Sequence, residues 1–224
     1  MKEFAVRKIF DFIKLIESNN NREWFNENKN IYIEAKERFD EIVCFIGKEI
    51  EKFDPEFKYS TAKNYTFRIY RDVRFSKNKL PYKNHFGAFF SVGGRKSPLA
   101  GYYFHLQRGE SFFGGGVYRP DKDSLKAIRQ EIYYSYKKFE EILNDKEFKN
   151  IYPSLIDDKL KNGPKDFPKD SPAIELLKYK SFAVAHKLTD EEVMSSGAIN
   201  NILRGFSVLK NMNDYLNDAI KLGD

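Results

Sequence analysis

Cysteine occurs once in these 224 residues, tryptophan once and histidine three times, and each scarcity closes off a class of chemistry. Cys44 cannot form a disulfide within the chain, which fits the reducing cytoplasm better than a secreted scaffold. Its neighbours Val43, Phe45 and Ile46 predict the buried face of a helix, so the thiol reads as structural rather than nucleophilic. His85, His105 and His186 show no HExxH or other metal spacing, and no metal is expected. GxxxxGK[ST], GxGxxG and GxSxG are all missing, and with them the phosphate loop, the dinucleotide fingerprint and the serine-hydrolase elbow. No cofactor is expected. Long apolar runs are missing too: MKEFAVRKIFDFIKLIE carries charges throughout, so neither a signal peptide nor a membrane span is expected there. There is no internal repeat, and no heptad run points to a coiled-coil oligomer.

Apolar material is nonetheless plentiful. A hydrophobic fraction of 41% with 21 phenylalanines supplies a continuous core, and the chain reads as one α+β domain over residues 1–224. Residues 1–55 are expected to be helical. Phe4, Ile9, Phe12, Ile13 and Ile16 form one stripe, ending at Asn19-Asn20-Asn21; Tyr32, Ala35, Phe39, Ile42, Ile46 and Phe53 form a second, interrupted by Glu49 and ended by Asp54-Pro55. Trp24 is expected to staple the intervening turn onto the core. Residues 60–118 predict an antiparallel meander of about four strands at 65–75, 85–92, 101–107 and 111–118. Residues 120–224 predict helices packed on that sheet, with Asp123 as an N-cap and an irregular, proline-bearing excursion near 144–172. Lys180–Leu188 alternates as a short strand, and Thr189 with Glu192 forms a capping-box pattern before a last helix from Ile199 to Ile220.

One segment carries the charge. KNYTFRIYRDVRFSKNKLPYK, residues 63–83, sets seven basic residues against one acid, Asp72, which equals the net charge of +6; the remaining basic and acidic residues cancel. Interleaved with Tyr65, Phe67, Tyr70, Phe75 and Tyr82, this local field predicts a site for an anion. If 66–75 is a strand, Arg71 shares an apolar face with Phe67, Ile69, Val73 and Phe75, where a guanidinium needs a partner or a bound anion. The expected clamp is Arg68, Arg71 and Arg74, with Lys77, Lys79 and Lys83 on its rim. Asp72 would orient it, Tyr70 and Tyr82 would supply hydroxyls, the Gly114-Gly115-Gly116 loop would line the pocket, and Arg119 would add a guanidinium. His105 or His85 is the candidate proton carrier should the site be catalytic, while His186 reads as structural or exposed.

The strings NNNREWFNENKNIY (19–32), RIYRDVRFSKNKLPYK (68–83), GYYFHL (101–106) and FFGGGVYRP (112–120) resemble the family catalogued as domain of unknown function 2461. The resemblance runs over most of the chain and implies a shared fold unit. That family has no established activity, so it implies no catalytic residues.

An anionic small molecule bearing phosphate or carboxylate is therefore the expected ligand. The alternatives are a nucleic acid, using the same basic and aromatic segment, and an acidic protein partner docking on the strip without a small ligand. The bland reading is a solvated basic edge strand whose charges deter edge-to-edge pairing.

Overall fold

The computed structural model describes residues 3–223, with side chains from Val6 onward, so the side chain of Phe4 lies outside the described residues. Helix α1 (Glu3–Ser18) buries Val6, Ile9, Phe12, Ile13 and Ile16 at the three- and four-residue steps of one helical face. A short α2 (Arg22–Glu27) follows, capped by Asn21, whose side chain accepts the Trp24 N–H at 2.9 Å; the Trp24 ring packs, partly buried, on the core. In α3 (Lys29–Phe53) the stripe Ala35, Phe39, Ile42, Ile46 and Ile50 faces inward. Its flank differs from the expectation: Phe45 is 49% exposed and Cys44 is half-buried, because the two positions lie beside the stripe rather than on it. Asp54 ends the helix before Pro55 and accepts the buried Tyr102 hydroxyl at 2.8 Å. A single turn, α4 (Ala62–Tyr65), leads into the basic segment.

Four antiparallel strands, β1 (Phe86–Phe90), β2 (Gly101–Leu106), β3 (Ser111–Val117) and β4 (Phe182–Leu188), lie side by side in chain order. Between β3 and β4 the chain forms α5 (Lys122–Asn144), α6 (Lys146–Ile151) and α7 (Ile174–Leu177); after β4 come α8 (Asp190–Met194) and α9 (Ala198–Gly223). No helix among the described residues is long and apolar enough to cross a membrane. The α+β class, the four-stranded antiparallel sheet and the helical flanks are as the sequence predicts.

Membership of the sheet is not. Residues 65–75 form no strand. They touch the free edge of β1 through one bridge, Thr66 to Ala88, and through the Phe67 N–H bonded to the Gly87 carbonyl at 3.0 Å. The segment then doubles back on itself: Arg71 N–H reaches Pro81 O at 2.9 Å and Lys83 N–H reaches Ile69 O at 2.8 Å. A regular strand would have pressed Arg71 into an apolar face, whereas this loose hairpin leaves it half-exposed. The fourth place is taken by β4, brought back after the long helical excursion.

Two smaller corrections concern caps and glycines. Asp121, not Asp123, caps α5, accepting the N–H groups of Asp123 at 3.0 Å and Ser124 at 2.9 Å. Gly114, Gly115 and Gly116 are not a loop; they form the middle of β3. A Cβ on Gly115 would stand 2.1 Å from the Gly101 carbonyl oxygen and 2.7 Å from Leu209 of α9, so the glycine lets α9 lie close on the sheet. The capping box at Thr189 and Glu192 is formed as expected.

Strand register sorts the two faces of the sheet. Phe86, Ala88, Phe90, Tyr102, Phe104, Phe113, Phe182 and Val184 turn inward onto the core. Gly87, Phe89, Tyr103, His105 and Phe112 share the opposite face, and the basic segment hangs beside it.

Candidate anion-binding site

One of three consecutive asparagines fastens the base of the basic segment, and the other two hold the turn that presents it. Asn19 donates back to Leu15 O, Asn21 caps α2, and Asn20 makes two bonds to the backbone of Tyr82, accepting its N–H at 3.0 Å and donating to its carbonyl at 3.0 Å. The Tyr82 ring is buried and stacks on Phe25 with centroids 4.0 Å apart. Tyr82 is therefore an anchor for the segment, and the hydroxyl expected of it in the site belongs to the core packing instead.

Thus held, the segment and the β1–β2 edge enclose a cleft of about 210 Å³ lined by Phe67, Arg68, Lys83, His85, Gly87 and Tyr103, with no acidic side chain among these lining residues. Gly87 keeps it open, since a Cβ there would stand 2.7 Å from the Tyr103 hydroxyl. The Lys83 ammonium lies 5.5 Å from the centre of the Phe67 ring. Burial, then the neighbouring Arg68 charge, lowers the Lys83 pKa. Burial, then His105, Lys83 and Arg71, pushes His85 down to about 3, so its imidazole is neutral at physiological pH.

Behind the cleft stands a directed hydrogen-bond chain. The Gln107 amide N–H₂ donates to Glu110 at 3.1 Å, which leaves its oxygen to accept the His105 Nε2–H at 2.9 Å. His105 Nδ1 then accepts the Tyr103 hydroxyl at 3.1 Å. Burial lowers the His105 pKa and raises that of Tyr103 to about 12. His105 also stacks on Phe112 at 4.7 Å and lies 4.4 Å from the His85 ring. With both ring nitrogens engaged, His105 can act on a ligand only through Tyr103. His85, which lines the cleft, makes no hydrogen bond among the described residues.

The structure divides the residues singled out from the sequence. Arg68, Lys83, His85 and His105 come together at this cleft. Arg71 does not line it, although its charge bears on His85. Asp72 forms a two-pronged pair with Arg74, at 2.9 and 2.7 Å, which holds the carboxyl at about 2; no hydrogen bond joins it to Arg68 or Arg71. Lys77 and Lys79 line a different cleft, together with Arg22. Tyr70 is half-exposed and leans on Tyr82, centroids 5.4 Å apart. Gly114–Gly116 sit within β3 and do not line the cleft, and Arg119 lies beyond the far end of β3 beside Lys96, its guanidinium over Tyr118 at 5.2 Å. His186 lies away from the cleft, and its Nδ1–H donates to the Ile151 carbonyl at 2.9 Å. Sequence reasoning missed Tyr103, Gln107 and Arg22; the alternation Tyr103, His105, Gln107 carried the signal for the first two.

Residues 8–215 match the family model described as conserved hypothetical protein (DUF2461), and the chain belongs to that family. No curated protein and no solved structure matched it.

Proposed function

We propose that the protein binds a small molecule bearing a phosphate or carboxylate in the cleft between residues 67–85 and the β1–β2 edge. The observation that carries this reading is the pairing of Arg68 with Lys83 in a lining without an acid: neither cation has an ion-pair partner among the described residues. Two neighbouring cations repel one another, and an anion between them removes that repulsion and gains charge-assisted hydrogen bonds. His85 offers an N–H to the same anion. Tyr103 gives its proton to His105 and keeps a lone pair for a ligand hydroxyl. Should the bound molecule react, that Tyr103–His105 pair is where a proton would be exchanged.

Calorimetric titration with inorganic phosphate, sugar phosphates and dicarboxylates tests the reading. Saturable binding is expected with at least one of these classes. Charge-assisted hydrogen bonds contribute about 1.5–3 kcal/mol, so Arg68→Ala is expected to weaken it by about tenfold or more. Unchanged affinity in a folded Arg68→Ala protein would exclude the cleft.

A further inference from the structure

The basic segment lines two separate cationic clefts, and one small anion fills only one of them. In the first stand Arg68 and Lys83. In the second, Arg22 joins Lys77 and Lys79 in an open cleft of about 640 Å³, together with the amides of Asn20, Asn21 and Asn78 and again without an acid in its lining. Among the described residues Arg22 and Lys77 have no ion-pair partner, and Lys79 bonds only the Val73 carbonyl, at 3.0 Å. The segment's one acid, Asp72, is spent on Arg74.

Two aromatic rings of the same segment are exposed. Phe75 is 95% exposed, with the Arg74 guanidinium 5.9 Å from its ring centre, and Tyr70 is 49% exposed. A fully exposed phenylalanine at the tip of a cationic hairpin contributes nothing to the core. It is placed to meet a flat partner.

We propose that this strip binds single-stranded nucleic acid, with backbone phosphates in both clefts and bases stacked on Phe75 and Tyr70. The proposal rests on the reading of the Arg68–Lys83 cleft as an anion site and names the ligand that would use both clefts. Phosphates repeating along a chain match two separated cationic clefts, and the bases between them match the exposed rings. A duplex keeps its bases stacked and cannot offer them to those rings, so the single strand is favoured. An acidic protein would satisfy the cations but leave the aromatic faces without a specific counterpart.

The test is fluorescence anisotropy with a labelled oligouridine of about 12 nucleotides, the length scale of a compact single-strand site, over a range of salt concentrations. Binding is expected, with log affinity falling linearly against log salt. Phe75→Ala, a change to a side chain outside the core, is expected to weaken it by about tenfold, as loss of one stacked base does. Lys77→Ala with Lys79→Ala is expected to reduce the salt slope by about 0.7 for each phosphate contact removed, and Arg68→Ala to do the same independently. The same sequence as a duplex is expected to bind more weakly. Failure of the oligonucleotide to bind would overturn the proposal, as would binding indifferent to Phe75→Ala or matched by polyglutamate. Phosphate titration separates the two readings: phosphate bound by the wild type and lost in Arg68→Ala, beside a silent oligonucleotide, leaves the small-anion site standing and removes the single strand.

Discussion

Asn20 replaces a strand. By bonding both the N–H and the C=O of Tyr82, a single side-chain amide does the work of a paired backbone and fixes where the basic segment returns to the core. Asn20→Ala removes both bonds and is expected to destabilise the protein by about 1–3 kcal/mol in urea unfolding, since buried backbone groups lose their partner. His85 gives a second residue-level expectation. Its pKa is near 3 in the folded protein against about 6.5 when unfolded, so the unfolded chain binds the extra proton first. Stability from this group is complete above pH 6.5 and is lost as the pH falls toward 3. The loss between pH 7 and pH 4.5 is about 2 kcal/mol, allowing for partial exposure of the ring. His85→Gln is expected to flatten that part of the stability profile, measured by denaturant midpoints across pH; an unaltered profile would show that the ring is not held neutral by this environment. Phosphate in the cleft is expected to raise the His85 pKa, visible as a shift of its imidazole titration by NMR.

At the scale of elements, the helices were legible because their signals are local. The stripe of α9 and the Thr189–Glu192 box lie within a few residues of one another, and the chain satisfies them wherever the rest folds; Thr189→Ala is expected to cost about 1 kcal/mol in thermal unfolding. Residues 65–75 were not legible. Alternating aromatics and charges describe a strand and an extended connector equally well, and what separates them is whether a neighbour offers a ladder of partners. Here β1 offers one bridge, and the segment pairs with itself. The glycines misled for a related reason: Gly114–Gly116 has the composition of a loop, and the close approach of neighbouring strand backbone at all three, with α9 pressed on Gly115 and Gly116, explains why bare backbone occupies a strand. Gly115→Ala is expected to leave little soluble, folded protein, as judged by circular dichroism and yield, because the added methyl meets backbone that cannot move aside. The cleft was half legible. Arg68, Lys83, His85 and His105 could be named from composition, but their convergence required the turn at 76–82, and the separation of Lys77 and Lys79 from them required α2.

For the whole molecule, the uneven placement of charge has a measurable expression. The net charge belongs to one projecting segment, so cation-exchange retention is expected to depend on that segment rather than on the total. Lys77→Gln with Lys79→Gln should elute at lower salt than Lys165→Gln with Lys169→Gln, although both pairs lower the charge equally and all four lysines are exposed. Equal elution would mean that the field is not concentrated there. The sheet has a consequence of another kind, in time rather than space. Strands β1, β2 and β3 are neighbours in the chain and can close on one another as soon as Val117 has been synthesised, but β4 arrives only after the helical excursion from α5 to α7. Until then, during translation, SFFGGGV offers an unpaired edge of N–H and C=O groups with two phenylalanines beside it, open to any other extended chain. A ribosome that pauses before Phe182 prolongs that exposure, so the yield of native protein is set by how quickly the last third of the chain follows the middle.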